Sequence, residues 1–196
     1  MSATGARTVL VAPERLAGWF ERFAGSHGGA QITAGALTVD AQAKDGTAVH
    51  CEVPFPPLPD DAQDPWQALV DHALRQRRFG VLLIRRGGYA AGVFHGGKLI
   101  ASKVGTRYVQ GRTAAGGQSQ QRFARRRDNQ AAALLGSAVA VAARILVAEA
   151  GTLAALATGG DRPLVAAALA DPRLAALAEL PRARWLDVGD PRQKTL

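Results

Sequence analysis

The chain has 196 residues, 47% of them hydrophobic, and a formal net charge of +8. That apolar share is too high for a disordered chain and ample for a core, so one domain, or one domain with a small appendage, is expected. The single cysteine, Cys51, excludes an internal disulfide and a multi-cysteine zinc site. The longest charge-free apolar run, Ala131–Ala143, is too short and small-sided for a membrane span, and no signal pattern opens the chain. A soluble cytoplasmic protein without membrane partner, cofactor or metal is the expectation.

In chain order, Pro13 to Gly28 forms an amphipathic helix, with Leu16, Trp19, Phe20 and Phe23 at helical spacing. Ala36–Ala43 and Ala48–Phe55 alternate apolar and polar residues around Asp45-Gly46, which predicts a β-hairpin that places Cys51 on a strand as a small buried hydrophobe. The proline- and aspartate-rich stretch Pro54–Pro65 reads as a surface connection to a short helix from about Trp66 to Arg77. A β-meander follows: Gly80–Arg85, Tyr89–Phe94 and Leu99–Tyr108, punctuated by Gly87-Gly88 and Gly96-Gly97. Val81-Leu82-Leu83-Ile84 is apolar on both faces, so it should be a central strand covered on both sides, and the fold class is α/β with a mixed central sheet and helices on both faces.

The loop Val109–Gln118 has no large apolar anchor and should be exposed. Ser119 is the expected N-cap of a helix reaching about Ala150, roughly 30 residues and hence ~45 Å long. Its first turns are polar and arginine-rich, and Ala138–Val147 is apolar apart from Arg144, so one end should project while the other is buried. Thr152–Ala157 then reads as a strand, Asp161-Arg162-Pro163 and Asp171-Pro172 each open a helix, and Arg184–Val188 reads as a last strand before a tail, 191–196. Residues 1–78 are expected to be part of the same compact unit as 79–190.

Charge is distributed unevenly. From His72 to Arg127 there is no Asp or Glu, but thirteen Lys or Arg; the rest of the chain carries 11 against 16, a net of −5. A continuous basic segment of this kind points to a polyanion such as RNA or DNA rather than to a merely soluble surface, which would intersperse both signs.

Within that segment lies Gly116-Gly117-Gln118-Ser119, followed by Arg122-Phe123-Ala124-Arg125 and Arg127. This string resembles the middle domain of eukaryotic and archaeal class I peptide chain release factors. Phe79-Gly80-Val81 with the meander is similar to the start of that domain. Leu153–Gly160, Asp171-Pro172-Arg173-Leu174 and Trp185-Leu186-Asp187-Val188-Gly189 are similar to its close. The resemblance covers about Phe79 to Asp190 in matching order and leaves the first 78 residues unexplained. A decoding domain and a partner-binding domain of stop-codon factors do not fit in 196 residues, so the resemblance is to stand-alone, ribosome quality-control members of the actinobacterial type.

The resemblance implies stop-codon-independent hydrolysis of peptidyl-tRNA on stalled or obstructed large ribosomal subunits, with the 23S rRNA and peptidyl-tRNA as partners and no role for DNA. Gln118 would be the catalytic residue, with Gly116 and Gly117 beside it; Gln120 is an alternative, because Gly117 and Gln120 also satisfy a Gly-x-x-Gln spacing. The chemistry suits these residue types. A bound ester needs water admitted and oriented and an oxyanion stabilised; two glycines allow close backbone approach, and an amide can position water without titrating. Arg107, Arg112, Arg122, Arg125, Arg126 and Arg127 would neutralise RNA phosphates. Two rivals stand: an endonuclease cutting the tRNA 3′ end, for which the basic segment offers no metal-binding carboxylate, and a non-catalytic rRNA- or tRNA-binding adaptor.

Overall fold

The structure is a computed structural model that describes residues 7–59, 63–106 and 118–196, with backbone alone at 118–121, 123, 124 and 127. It divides into two compact units, Met1–Arg75 and Gln76–Leu196, where the sequence pattern suggests a single one. The physical reason is that each closes a hydrophobic core of its own.

In the first unit, helix α1 (Pro13–Ser26) starts with proline at its first position and buries Phe20 and Phe23. Helix α2 (Pro65–Leu74) is capped by Asp64, whose carboxylate accepts from the N–H groups of Trp66 and Gln67. Phe20 and Phe23 meet Trp66, Val39, Ala41 and Ala43 on one face of a three-stranded antiparallel sheet. The expected hairpin is present as β2 (Thr38–Ala43) and β3 (Ala48–Glu52), and a strand absent from the sequence reading, β1 (Ala30–Ala34), pairs with β2. Cys51, on β3, is half-buried, and burial pushes its thiol up to about 11.

At the β2–β3 turn the Asp45 carboxyl is lowered to about 2, chiefly by the hydrogen bond to His27 (2.6 Å) and then by the Thr47 N–H. Because the folded-state value lies below the ordinary one, the stabilisation is present above about pH 4 and is lost as pH falls through about 2. Asp45→Asn should therefore melt below wild type near neutrality, and the gap should close on titration from about pH 5 to about pH 2 in a thermal melt.

The second unit is built on a four-stranded mixed sheet in the order β6-β5-β4-β7. Strands β4 (Arg78–Arg85), β5 (Gly88–His95) and β6 (Lys98–Thr106) form the expected meander, and β7 (Ala155–Gly160) adds parallel to β4. Helix α3 (Gln118–Ile145) begins one residue before the expected cap and stops five short of Ala150, because Val147–Thr152 tightens into a 3-10 helix. That turn is held by Thr152 Oγ1, which donates to the Glu149 carbonyl (2.9 Å), and by an Arg78–Glu149 ion pair of 2.8 Å. Strand β7 consequently starts at Ala155 rather than Thr152.

Helix α4 (Arg162–Leu169) is capped by Asp161. The helix expected at Asp171-Pro172 is a 3-10 turn followed by the four-residue α5 (Ala175–Ala178). One sheet face, with Leu82, Ile84, Ala91, Val93 and Leu156, packs on α3 through Ala138, Val139, Ala142 and Leu146, and on α4 through Val165 and Ala168. The opposite face, with Val81, Leu83, Ala90 and Ala157, is covered by Ala183, Leu186, Val188 and Leu196 of the C-terminal segment instead of by a long helix. The strand expected at Arg184–Val188 is reduced to two parallel bridges, Leu156 to Arg182 and Gly159 to Leu186. There the chain follows β7 through single contacts such as Leu186 N–H to the Thr158 carbonyl (2.8 Å), without a regular ladder.

Residues Asp128–Thr152 form a stretch that is, by length and composition, apolar enough to cross a membrane, with a mean hydropathy of 2.1 over its most apolar 18 residues. This stretch is longer than the charge-free run Ala131–Ala143, and its large side chains are the ones packed on the sheet. Its exposed positions include Ala132, Ala133, Gly136 and Ala140. A Cβ on Gly136 would meet nothing within 4 Å. Gly136→Ala should stabilise the second unit by about 0.5–1 kcal/mol through helix propensity alone, measurable by denaturant titration.

Candidate functional site

The segment that carries the catalytic expectation lies in sequence between β6 and α3. Arg107, Arg112, Gly116 and Gly117 lie outside the described residues. Gln118 is the first residue of α3, and Gln120 and Arg127 follow in its opening turns, placed by backbone only. Residues 118–133 precede Leu134, the first buried side chain described on α3. They span ~24 Å of helix at 1.5 Å per residue. The expected arrangement of a projecting polar end and a buried apolar end is therefore present, and Gln118 stands at its distal end.

Arg122, Arg125 and Arg126 are exposed on this projecting half. With Asn129, Gln130 and Ala133 they line a shallow open depression of about 610 Å³. Among the described residues none of the three arginines carries an ion pair, although Asp128 is close in sequence and exposed. Unpaired guanidinium groups on an exposed helix face are suited to phosphate oxygens, which they engage in forked pairs. Asn129 and Gln130 are not singled out by sequence reasoning; their spacing of i+7 and i+8 from Arg122 is the available signal.

The division into two units sharpens the charge pattern. Residues 76–196 hold 19 Lys or Arg against 7 Asp or Glu, a net of +12, while residues 1–75 hold 5 against 9, a net of −4. The second unit is thus the one fitted to a polyanion. His, Cys, Asp and Glu side chains do not gather in threes anywhere among the described residues.

The second unit is thus a basic α/β unit in which a long helix with exposed arginines follows the Gly116-Gly117 pair in sequence. The sequence from 77 to 196, more than half of the chain, matches the family described as Actinobacteria/chloroflexi VLRF1 release factor, and the protein belongs to that family. Membership makes it a release-factor-like protein of actinobacterial type. No match to a curated protein is found. Among solved structures, the chain is similar to an archaeal translation termination factor, aRF1, at 15% identity and a TM-score of 0.43, covering 78% of this chain and 44% of that one. It is also similar to one described as an archaeal protein, at 16% identity and a TM-score of 0.36, covering 81% of this chain and 44% of that one. The chain thus spans less than half the length of either.

Proposed function

We propose that the protein hydrolyses the ester of peptidyl-tRNA on stalled or obstructed large ribosomal subunits, in the cytoplasm and without reading a stop codon. The observation that carries this reading is the position of Gln118. It is the first residue of a helix whose exposed turns bear Arg122, Arg125 and Arg126 and whose far end is anchored in the core. Such a rod delivers a terminal amide into an RNA-walled site while its arginines neutralise 23S rRNA and tRNA phosphates. Gly116 and Gly117 supply the room for close approach, and the Gln118 amide orients the attacking water. Codon-independence is supported by the first unit: with a net charge of −4 it is a poor ligand for mRNA and the decoding RNA around it.

The test is to add the protein to large subunits carrying labelled peptidyl-tRNA and to read both the peptide and the tRNA 3′ end. Released peptide with an intact 3′ end is the expected result. A shortened tRNA would make the protein an endonuclease, and absence of release would leave an RNA-binding adaptor. Replacing Arg122, Arg125 and Arg126 together by alanine should weaken binding to large subunits. The logarithmic salt dependence should also become shallower by roughly 2 to 3, about one for each phosphate that is no longer engaged.

A further inference from the structure

A second group of arginines, separate from those on the α3 arm, gathers at the sheet end where β6 finishes at Thr106. Register places it there: Gly88 pairs with Thr106, the last residue of β6, so the β6 end lies beside the β4–β5 turn. Ile84 pairs with Gly160, so the ends of β4 and β7 share that edge. Arg85 and Arg86 follow β4, and Arg162 opens α4 just after β7. At the opposite end of the sheet stand Arg78 and Glu149, paired with each other.

Each of the three guanidinium groups is held and yet open. Arg85 Nη1 donates to the Val188 carbonyl at 2.7 Å. Arg86 has a side chain 73% exposed and forms only a long ion pair, Nε to Asp161 Oδ2 at 3.8 Å, while Asp161 Oδ1 caps α4. Arg162 lies over the indole of Trp185, 4.3 Å from the ring centroid, and remains exposed. Asp187 and Asp190 are exposed on the same C-terminal segment, so the cluster is not a featureless cationic field. What distinguishes it is orientation: two guanidinium planes are fixed in advance by a carbonyl and a ring, and a fixed plane loses less freedom on meeting a phosphate or a base.

We propose that this shoulder is a second RNA contact, in which Arg85 and Arg86 take backbone phosphates while the Arg162–Trp185 pair offers a flat surface for stacking. The inference rests on the proposed function, because it supposes that the loop works inside RNA. The arm on α3 and the shoulder at the sheet end then grip RNA at two points of the second unit, which fixes the direction in which Gln118 is presented. An acidic protein surface is the competing partner; it would use the charges but gain little from the stacked pair.

The test is anisotropy of a fluorescently labelled tRNA acceptor-stem minihelix titrated with the full chain over a range of salt. Arg86→Gln with Arg162→Gln should weaken binding about 3- to 10-fold and make the salt dependence shallower by roughly 1 to 2. Trp185→Leu, which keeps every charge, should weaken binding about threefold with the slope unchanged. Arg86→Gln alone, at a position 73% exposed, separates weakened RNA binding from an impaired fold. Wild-type affinity and slope in the shoulder variants, with binding weakened only by the arm triple variant, would overturn the shoulder contact and leave the proposed function standing. A wild-type protein that does not bind the minihelix, and does not release peptide from large subunits, would overturn both.

Discussion

Gln118→Ala is expected to reduce peptide release by about 100- to 1,000-fold while leaving binding to the large subunit close to wild type. The first figure is what removal of one preorganised polar group from an acyl-transfer site costs. The second follows from position, since Gln118 opens α3 and Arg122, the first of the exposed arginines described on that helix, comes four residues later. Substitution at the start of a helix, away from the buried positions Leu134 to Leu146, leaves the core intact. Gln120→Ala is the matching control. Two residues further along the helix, it should release peptide at nearly the wild-type rate, whereas a loss as large as that of Gln118→Ala would move the catalytic role to the Gly117–Gln120 spacing. An adaptor tolerates both changes, which a single-turnover release time course would reveal at once.

Leu82→Ala should be the most damaging single change in the second unit, at about 3 kcal/mol. Leu82 is fully buried at the middle of β4, with neighbours on both sides in the sheet and the α3 and α4 residues above it. Deleting its branched end loses transfer energy and opens a cavity that a sheet with helices packed on it cannot close. Hydrogen exchange followed segment by segment is the appropriate readout. Amides of β4 and β7 should exchange on the order of 100-fold faster, since each 1.4 kcal/mol is a factor of ten. Strand β2 belongs to the separate core around Phe20 and Val39 and serves as the internal reference.

The readable parts of the sequence are those in which pattern and packing coincide. Leu16, Trp19, Phe20 and Phe23 announce α1, and Val81 to Ile84 announce a strand buried on both faces, because side-chain periodicity there records what the residues touch. Strand β1 escapes for the converse reason: Ala30-Gln31-Ile32-Thr33-Ala34 has one large apolar residue, and its pairing is provided by β2 rather than by its own pattern. The boundary near Thr152 is displaced by a tertiary contact, since only the fold brings Arg78 to Glu149. The C-terminal cover reads as a strand because Trp185, Leu186 and Val188 are apolar; the backbone there meets β7 at isolated points. Of the candidate site, Gln118 and the arginine spacing are legible from the motif. The Arg162–Trp185 stack is not, as it joins residues from two elements with no shared periodicity.

The parallel pairing of β4 with β7 also sets an order of events. Strands β4, β5 and β6 are neighbours in sequence and can pair as soon as they are made, while Phe79 meets Ala155 only after the loop and the whole of α3 have been synthesised. Local contacts form early and distant ones late, so closure of the sheet should be the slow step in acquiring this fold. Until then Val81 to Ile84, the most apolar stretch of the sheet, stands as an open edge. A chain truncated before Ala155 is accordingly expected to aggregate through that strand, although every element needed to display Gln118 is already present.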